Sequence, residues 1–588
     1  MNIFFRIFHI RRERALALSS GRSRILLEYL ICALSGAVYS TVFAGTDLYV
    51  LAWFGMVPLY WIVSSATPGR AFTLSLTWGY FCTLFSFMWL REIMFFIPFI
   101  FGFVLGMFPA LWGMVLPFLY KNFMIPASVR LEGPEAVAAY RNRNPFREIA
   151  YCCALAAWWC VTEWIRSWIF TGLPWNLVGS SQWQMLPLIQ LCRYTGVYGV
   201  SFLVVLVNIS LGFFLKQLCY AKNLKDGALH AYSLLFSLAL IYMCVMFAGV
   251  KNIRRYQRTE AEMKSRIGVV QPNLSQRRSG GESPTLEAIH RCVDLSEKLL
   301  RENTGSEAPQ ILVWPETAVP VPYNAAYDLS GIFRQKDGML TLQSKLPLLT
   351  GSIFLERSEK DPQMVNVYNS ALLLQNGGRV MGRYDKVHIV PFGEYVPFGD
   401  QFPFLNQWLG MGRNLTPGKE FLPMEILPGL YAGINICYED IFPYISRAHA
   451  KRGANALLVV TNDAWYPSSN EPVQHFANSI FRAVETGLPM IRIGNCNYSA
   501  VIAPTGRILS SVFRKQNSAS WDPGRFEQGC AVLTLPAEKN PALTFYTRYG
   551  DLFIGVCIFY CIIILAAALV NCRTYHKVFA DIFEKTSV

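Results

Sequence analysis

The sequence predicts a two-part protein: a polytopic α-helical membrane domain of about eight transmembrane helices, joined to a large α/β domain. Three observations carry this reading. Hydrophobic residues make up 53% of the 588 positions, and they concentrate in apolar stretches. Those stretches reach the length that spans a bilayer, about 20 residues. Before the last of them lies a region of mixed composition, where short apolar runs alternate with amphipathic ones. The expected domains are 1–250, a membrane domain with seven spans; 251–551, an extracytoplasmic domain; and 552–588, a final span with a cytoplasmic tail.

The spans read as Ile25–Phe43, Leu48–Ser64, Phe72–Leu90, Ile93–Tyr120, Ile149–Trp168, Gly199–Leu215, Tyr232–Val250 and Leu552–Val570. The fourth is over-long and holds Pro98 and Pro109, which predicts a kink or an interfacial portion. The first is not a cleavable signal, because further spans follow at once. Basic residues mark the cytoplasmic side. They gather in the N-terminal segment (Arg6, Arg11, Arg12, Arg14, Arg22, Arg24), the fourth loop (Lys121, Arg130, Arg141, Arg143, Arg147), the sixth (Lys216, Lys222, Lys225) and the tail (Arg573, Lys577, Lys585). Both termini are therefore expected in the cytoplasm and the large domain outside it. Lys251, Arg254, Arg255 and Arg258 oppose this rule; long domains translocate largely regardless of charge, and these residues can instead meet anionic headgroups. The net charge of +14 thus reflects topology rather than nucleic-acid binding. Glu163 and Arg166, one helical turn apart, are read as a structural pair.

Within 251–551, strands are expected at Ser265–Val270, Ile311–Trp314, Leu348–Phe354, Val367–Leu374, Arg379–Tyr384, Tyr431–Cys437, Ala456–Thr461, Met490–Ile493 and Ser499–Ala503. Asn376-Gly377 reads as a hairpin turn. Helices are expected at Pro284–Asn303, Ile441–Arg452 and Glu471–Glu485, with Ser283 capping the first and Asp440 the second. Of 15 cysteines, only Cys292, Cys437, Cys496 and Cys530 belong to this region. Their spacing suggests neither a zinc site nor a disulfide framework. In an oxidising compartment Cys292–Cys530 or Cys496–Cys530 remain possible bridges; Cys496 otherwise reads as a small packed residue.

Three islands just past strands carry chemistry: Trp314-Pro-Glu316-Thr-Ala318, Tyr384-Asp-Lys386 and Ile436-Cys437-Tyr438-Glu439-Asp440. A thiol attacks a carbonyl as thiolate, which a nearby base or cation promotes. Glu316 can take the thiol proton and return it to a leaving group. Lys386 can favour thiolate and stabilise an oxyanion, with the Tyr438 N–H as a second donor. Glu394 can orient Lys386, and Glu439 is a further supporting residue. His388 and His475 belong to no Cys/His signature and are read as packing or hydrogen-bonding residues. From Phe392 to Asn414, Phe398, Phe402, Phe404 and Trp408 stand among few charges. They either fill the domain's own core or form a lid through which a lipid chain enters.

Four words occur in order: Trp-Pro-Glu-Thr-Ala from Trp314, Tyr-Asp-Lys-Val-His-Ile-Val-Pro-Phe-Gly-Glu-Tyr-Val-Pro from Tyr384, Ile-Cys-Tyr-Glu from Ile436, and Thr-Asn-Asp-Ala-Trp-Tyr from Thr461. Together they resemble the nitrilase (carbon–nitrogen hydrolase) superfamily, and its apolipoprotein N-acyltransferase branch in particular. Thr171-Gly-Leu-Pro-Trp175, Ser181-Gln-Trp183 and Thr195-Gly-Val-Tyr-Gly-Val-Ser-Phe202 resemble the membrane-domain segment of that branch. The resemblance implies an αββα sandwich, with Glu316 as base, Lys386 as oxyanion stabiliser and Cys437 as nucleophile. Glu394, Tyr438 and Glu439 are implied as supporting residues. It implies a bacterial inner-membrane enzyme that moves an acyl chain from a phospholipid to Cys437, then to the α-amino group of a diacylglyceryl apolipoprotein. No metal or dissociable cofactor and no nucleic acid is expected, and a monomer is expected. Leu274–Gly281 lacks an entrance tryptophan, and Gly494-Asn-Cys-Asn-Tyr498 replaces a usual Thr-Asn-Asn-Gly; both bear on substrate preference. Two rivals stand: a membrane-tethered amidase or nitrilase acting on a small C–N substrate, and a non-enzymatic transporter or scaffold with a degenerate hydrolase domain.

Overall fold

A computed structural model describes residues 21–126, 129–130, 145–220, 224–274, 284–323, 346–358, 363–375, 379–399, 401–402, 404, 414–466, 469–513 and 527–586. Ser283, Asn376-Gly377, most of Leu274–Gly281, and Trp408 lie outside these. The chain divides into two compact units: Met1–Arg166 with Phe202–Leu240 and Val556–Val588, and Ser167–Ser201 with Ile241–Gly555.

The first unit is helical. Among the described residues, five helical segments are long and apolar enough to cross a membrane: Gly21–Val42, Ile97–Met124, Val197–Leu218, Ser237–Arg258 and Leu552–Val578. The expected spans Phe72–Leu90 and Ile149–Trp168 fall on helices Pro68–Ser86 and Pro145–Arg166. The expected span Leu48–Ser64 is not one helix. It breaks between a 3₁₀ turn, Tyr49–Trp53, and an α-helix, Val57–Val63. Buried Asn208 makes the break tolerable. Its amide donates to Ala52 O at 2.6 Å, and its carbonyl accepts from Met56 N at 2.9 Å, so backbone groups freed by the break are not left bare in an apolar interior. Pro98 falls in the first turn of helix Ile97–Leu119, where its missing N–H costs nothing. Gly79 and Gly106 let that helix approach Pro68–Ser86 closely: a Cβ on Gly79 would lie 2.9 Å from Gly106 Cα. Trp159 packs edge-on against Trp78 and Trp112, with centroids 6.2 and 5.3 Å apart. Its Nε1 donates to the buried Glu163 carboxylate at 3.0 Å.

The second unit is an αββα sandwich. Its strands are β1 (Met263–Gln271), β2 (Ile311–Val313), β3 (Val319–Tyr323), β4 (Leu348–Arg357), β5 (Val365–Gln375), β6 (Arg379–Asp385), β7 (Met424–Leu427), β8 (Leu430–Ile436), β9 (Ala456–Thr461), β10 (Met490–Gly494), β11 (Ala500–Ile502), β12 (Ile508–Ser511) and β13 (Gly529–Ala537). One sheet runs β13-β1-β2-β4-β5-β6 with β3 beside β4; the other runs β12-β11-β10-β9-β8-β7. Strand alternation builds the layers. Ile267, Val269, Ile311 and Val313 point between the sheets, against Ile434, Ile436, Leu458, Val460, Ile491 and Ile493. Val270, Leu312, Leu348, Leu372 and Leu374 point outward, onto Ile289, Cys292 and Val293 of helix Pro284–Glu302. Helices Pro443–Lys451 and Glu471–Thr486 pack with the second sheet. Cys292, Cys496 and Cys530 are free thiols.

Candidate active site

Cys437 follows the last residue of β8, where the chain leaves the sheet. Its φ is +53°, a left-handed conformation that costs an L-residue about 1–2 kcal/mol. The sharp turn lifts the thiol off the strand. Glu439 holds the turn. Its carboxylate accepts from Ile436 N (2.8 Å), Val387 N (2.7 Å), His388 N (3.1 Å) and the Tyr384 hydroxyl (3.1 Å). One buried side chain therefore ties the end of β8 to the segment that presents Lys386.

Lys386 is buried just past β6. Its Nζ lies 2.9 Å from Glu394 and 3.8 Å from Glu316. Asn369, on β5, donates to both carboxylates, at 2.8 Å to Glu316 and 3.0 Å to Glu394. Glu394 also accepts from Val390 N at 2.7 Å. Glu316 sits on the turn after β2, and Gly351 of β4 lets that turn lie flat on the sheet. A Cβ there would lie 2.6 Å from Glu316 Cα and would also strike Thr317 N.

Burial raises the Glu316 pKa, with Lys386 opposing. Burial also drives the Cys437 thiol well above its usual range; the Glu316 charge adds to this and Lys386 opposes it. Burial alone would lower Lys386, yet Glu394 and Glu316 raise it on balance, so it stays an ammonium. The Lys386 charge thus lowers the thiol's pKa but does not outweigh burial. Glu316 is an adjacent acceptor for the thiol proton. The arrangement is chemically competent for acyl transfer through a thioester.

The family model for the "Apolipoprotein N-acyltransferase N-terminal domain" matches residues 35–210, and that for "Carbon-nitrogen hydrolase" matches 266–519. An apolipoprotein N-acyltransferase of Geobacter metallireducens is 29% identical over 558 residues, covering 94% of this chain and 97% of its own. Another, of Rickettsia bellii, is 32% identical over 439 residues, covering 74% of this chain and 79% of its own. The chain belongs to the apolipoprotein N-acyltransferase family. A solved structure of Saccharomyces cerevisiae Nit3, a member of the nitrilase superfamily, is also similar. It is 18% identical with a TM-score of 0.31, covering 49% of this chain and 96% of that one.

Tyr438 is half-buried and its hydroxyl donates to Gly172 O at 3.4 Å. Trp175 stacks near Tyr438 and His475, with centroids 6.5 and 5.4 Å away. The motif Thr171–Trp175 therefore belongs to the unit that carries the thiol. His388 packs on Phe442 with a centroid distance of 3.7 Å, and its Nδ1 meets the Tyr444 hydroxyl at 2.8 Å. His475 lies beside Cys437: Nε2 is 3.2 Å from Cys437 O and 2.7 Å from Asp440, and Nδ1 is 2.9 Å from Asp463. Arg492 bridges the same two aspartates at 2.9 and 3.0 Å.

Asp440 is thus no helix cap, as the sequence had suggested. The helix starts after Phe442 without a side-chain cap, and Asp440 turns inward to His475, Arg492 and Ser479. Asp463, Glu471 and His475 have the ligand spacing of a metal site. Arg492 already supplies the cation, and both imidazole nitrogens are engaged, so the donor set does not fit a metal. Asn369 and Arg492 were not found in the sequence. Asn369 left one signal, an amide within the apolar run of β5.

Phe398, Phe402 and Phe404 are 67%, 53% and 63% exposed, and Phe402 and Phe404 lie edge to face at 6.1 Å. They do not fill the domain core.

Proposed function

We propose that this chain transfers a fatty acyl chain from a membrane phospholipid, through a Cys437 thioester, to the α-amino group of the S-diacylglyceryl-cysteine that begins an apolipoprotein. Glu316 removes the thiol proton as Cys437 attacks the ester carbonyl. Lys386 and the Tyr438 N–H stabilise the oxyanion. Glu316 then protonates the departing lysophospholipid alkoxide. In the second half-reaction it takes a proton from the attacking amine, and the thioester resolves with the thiol re-formed. One thiol serving two substrates in turn gives ping-pong kinetics. Glu394 holds Lys386; Glu439 and Tyr438 hold the nucleophile's turn. Phe398, Phe402 and Phe404 act with Trp408 at the lipid entrance.

The observation that carries this reading is the convergence of Glu316, Asn369, Lys386 and Glu394 through contacts of 2.8 to 3.8 Å, with the thiol as a hydrogen-bonding neighbour of Glu316. Basic loops and apolar helices support a multi-pass protein of the bacterial inner membrane, taken here as a monomer. In this reading 1–250 is the membrane domain, 251–551 the periplasmic catalytic domain and 552–588 the final span and tail, with both termini cytoplasmic. The exposed phenylalanines argue against a small-substrate amidase, which has no use for them.

The test is mass spectrometry of the purified protein after incubation with phospholipid vesicles. A hydroxylamine-labile acyl adduct is expected on the Cys437 peptide and not in Cys437→Ala. A diacylated lipopeptide should then discharge it. A folded protein with free Cys437 and no adduct would turn the reading to the amidase.

A further inference from the structure

The helix Leu224–Arg258 changes character along one face. Met243 and Phe247 are exposed apolar residues. Lys251, Arg254, Arg255 and Arg258 come next and are all exposed. From Lys251 their offsets are three, four and seven residues, which places all four cations on one side of the helix. At 1.5 Å per residue they cover about 10 Å of the axis, beginning about 6 Å beyond Phe247. Among the described residues none of the four side chains forms an ion pair; the ion pair next along the chain joins Lys264 to Glu260.

Arg193 stands on the adjoining segment, which Asn252 of this helix holds by donating to the Gln190 side chain at 2.8 Å. Burial lowers the Arg193 pKa; Tyr194 and Glu538 oppose this, while Arg255 adds its own repulsion. Residues 251–258 carry four cations and no carboxylate. The switch from apolar to cationic along one exposed face is the profile of a bilayer edge, hydrocarbon first and phosphate next. The helix also feeds β1, which starts at Met263, so a ligand held here steadies the entry to the central sheet.

We infer that Lys251, Arg254, Arg255 and Arg258, with Arg193 on the adjoining segment, form a binding site for the phosphate groups of anionic phospholipids. The site is separate from Cys437 and does not depend on the acyl-transfer reading. Its ligand is retained rather than consumed.

The experiment places the full-length protein in mixed phosphatidylethanolamine and phosphatidylglycerol, extracts it in neutral detergent, and quantifies bound lipid by native mass spectrometry. Phosphatidylglycerol should be enriched roughly tenfold over its bulk ratio. The variant K251Q/R254Q/R255Q/R258Q should fall to about the bulk ratio. A variant with the same net charge, R379Q/K419Q/K451Q/R507Q, should keep the enrichment. The charge-conserving K251R/R254K/R255K/R258K should keep it too, which separates loss of charge from misfolding. Excess inorganic phosphate should not displace the lipid. Equal enrichment in both neutralised variants, no enrichment in the parent, or displacement by inorganic phosphate would each overturn the inference.

Discussion

Gly351→Ala is a small change with a calculable effect on the proposed base. The new methyl would lie 2.6 Å from Glu316 Cα, where ordinary contact begins at 3.4 Å. The turn carrying Glu316 must retreat by about 0.8 Å, because Gly351 sits in a paired strand and cannot yield as easily. Misplacing a reacting group by about 1 Å costs on the order of 100-fold. Overpacking costs stability as well, about 1–3 kcal/mol. Gly268→Ala is the matched control. Its methyl would strike Leu312 Cδ2 at 2.7 Å, on the helix-covered face of β1, and touches nothing at the site. Single-turnover formation of the Cys437 thioester should slow by roughly 10- to 100-fold in Gly351→Ala. In Gly268→Ala the rate per folded molecule should stay that of the parent. Gly351→Ala forming the thioester at the parental rate, while losing stability, would refute the placement of Glu316 as base.

Other outcomes follow from neighbouring features. Glu439→Gln puts an amide donor where only acceptors fit, so at least one N–H of Ile436, Val387 or His388 loses its partner, at about 1–3 kcal/mol. Thermal unfolding should shift down and acyl transfer should collapse; Glu439→Gln with parental activity would show that the turn does not need its staple. Asp463 is depressed to about 2: burial alone would raise it, and His475 and Arg492 outweigh that. Its stabilisation is present above about pH 4 and is lost as pH falls toward 2. His475 is raised to about 10, the aspartates outweighing burial, so its stabilisation is present below about pH 6.5 and is lost as pH rises through 10. Melting temperature against pH should therefore show a shallower acid limb in Asp463→Asn and a shallower alkaline limb in His475→Gln; unchanged limbs would contradict the cluster's charge states. Phe402→Ser/Phe404→Ser should slow acylation by membrane phospholipid while sparing a short-chain soluble ester, and equal rates on both would remove the lid role.

Much of this was legible because apolar runs in strands announce themselves. β8 and β9 are largely apolar stretches, and all but one of the expected strands fell within a residue or two of their place; β4 runs three residues past its expected end, to Arg357. Four strands were not expected: β13, Gly-Cys-Ala-Val-Leu-Thr-Leu-Pro-Ala, carried an apolar signal and was still passed over, while composition hides the other three. β3 reads Val-Pro-Val-Pro-Tyr, and β7 and β12 have four residues each. Glu316, Lys386 and Cys437 follow β2, β6 and β8, so local sequence pointed to them. Asp440, Asp463, His475 and Arg492 come from separate elements and meet only when the second sheet is folded. No spacing in the chain encodes that meeting, which is why Asp440 read as a cap. The break before Val57 was hidden for the same reason: its partner, Asn208, is remote in sequence.

Helix Glu471–Thr486 is buried at all sixteen positions, its polar side chains included. An element with no face toward solvent has no cheap way to open. Its amides should be among the last in the unit to exchange with deuterium, released only when the whole sandwich comes apart. Exchange at this helix therefore reports global rather than local opening, and it gives a direct clock for how long the fold around Cys437 survives in a given detergent.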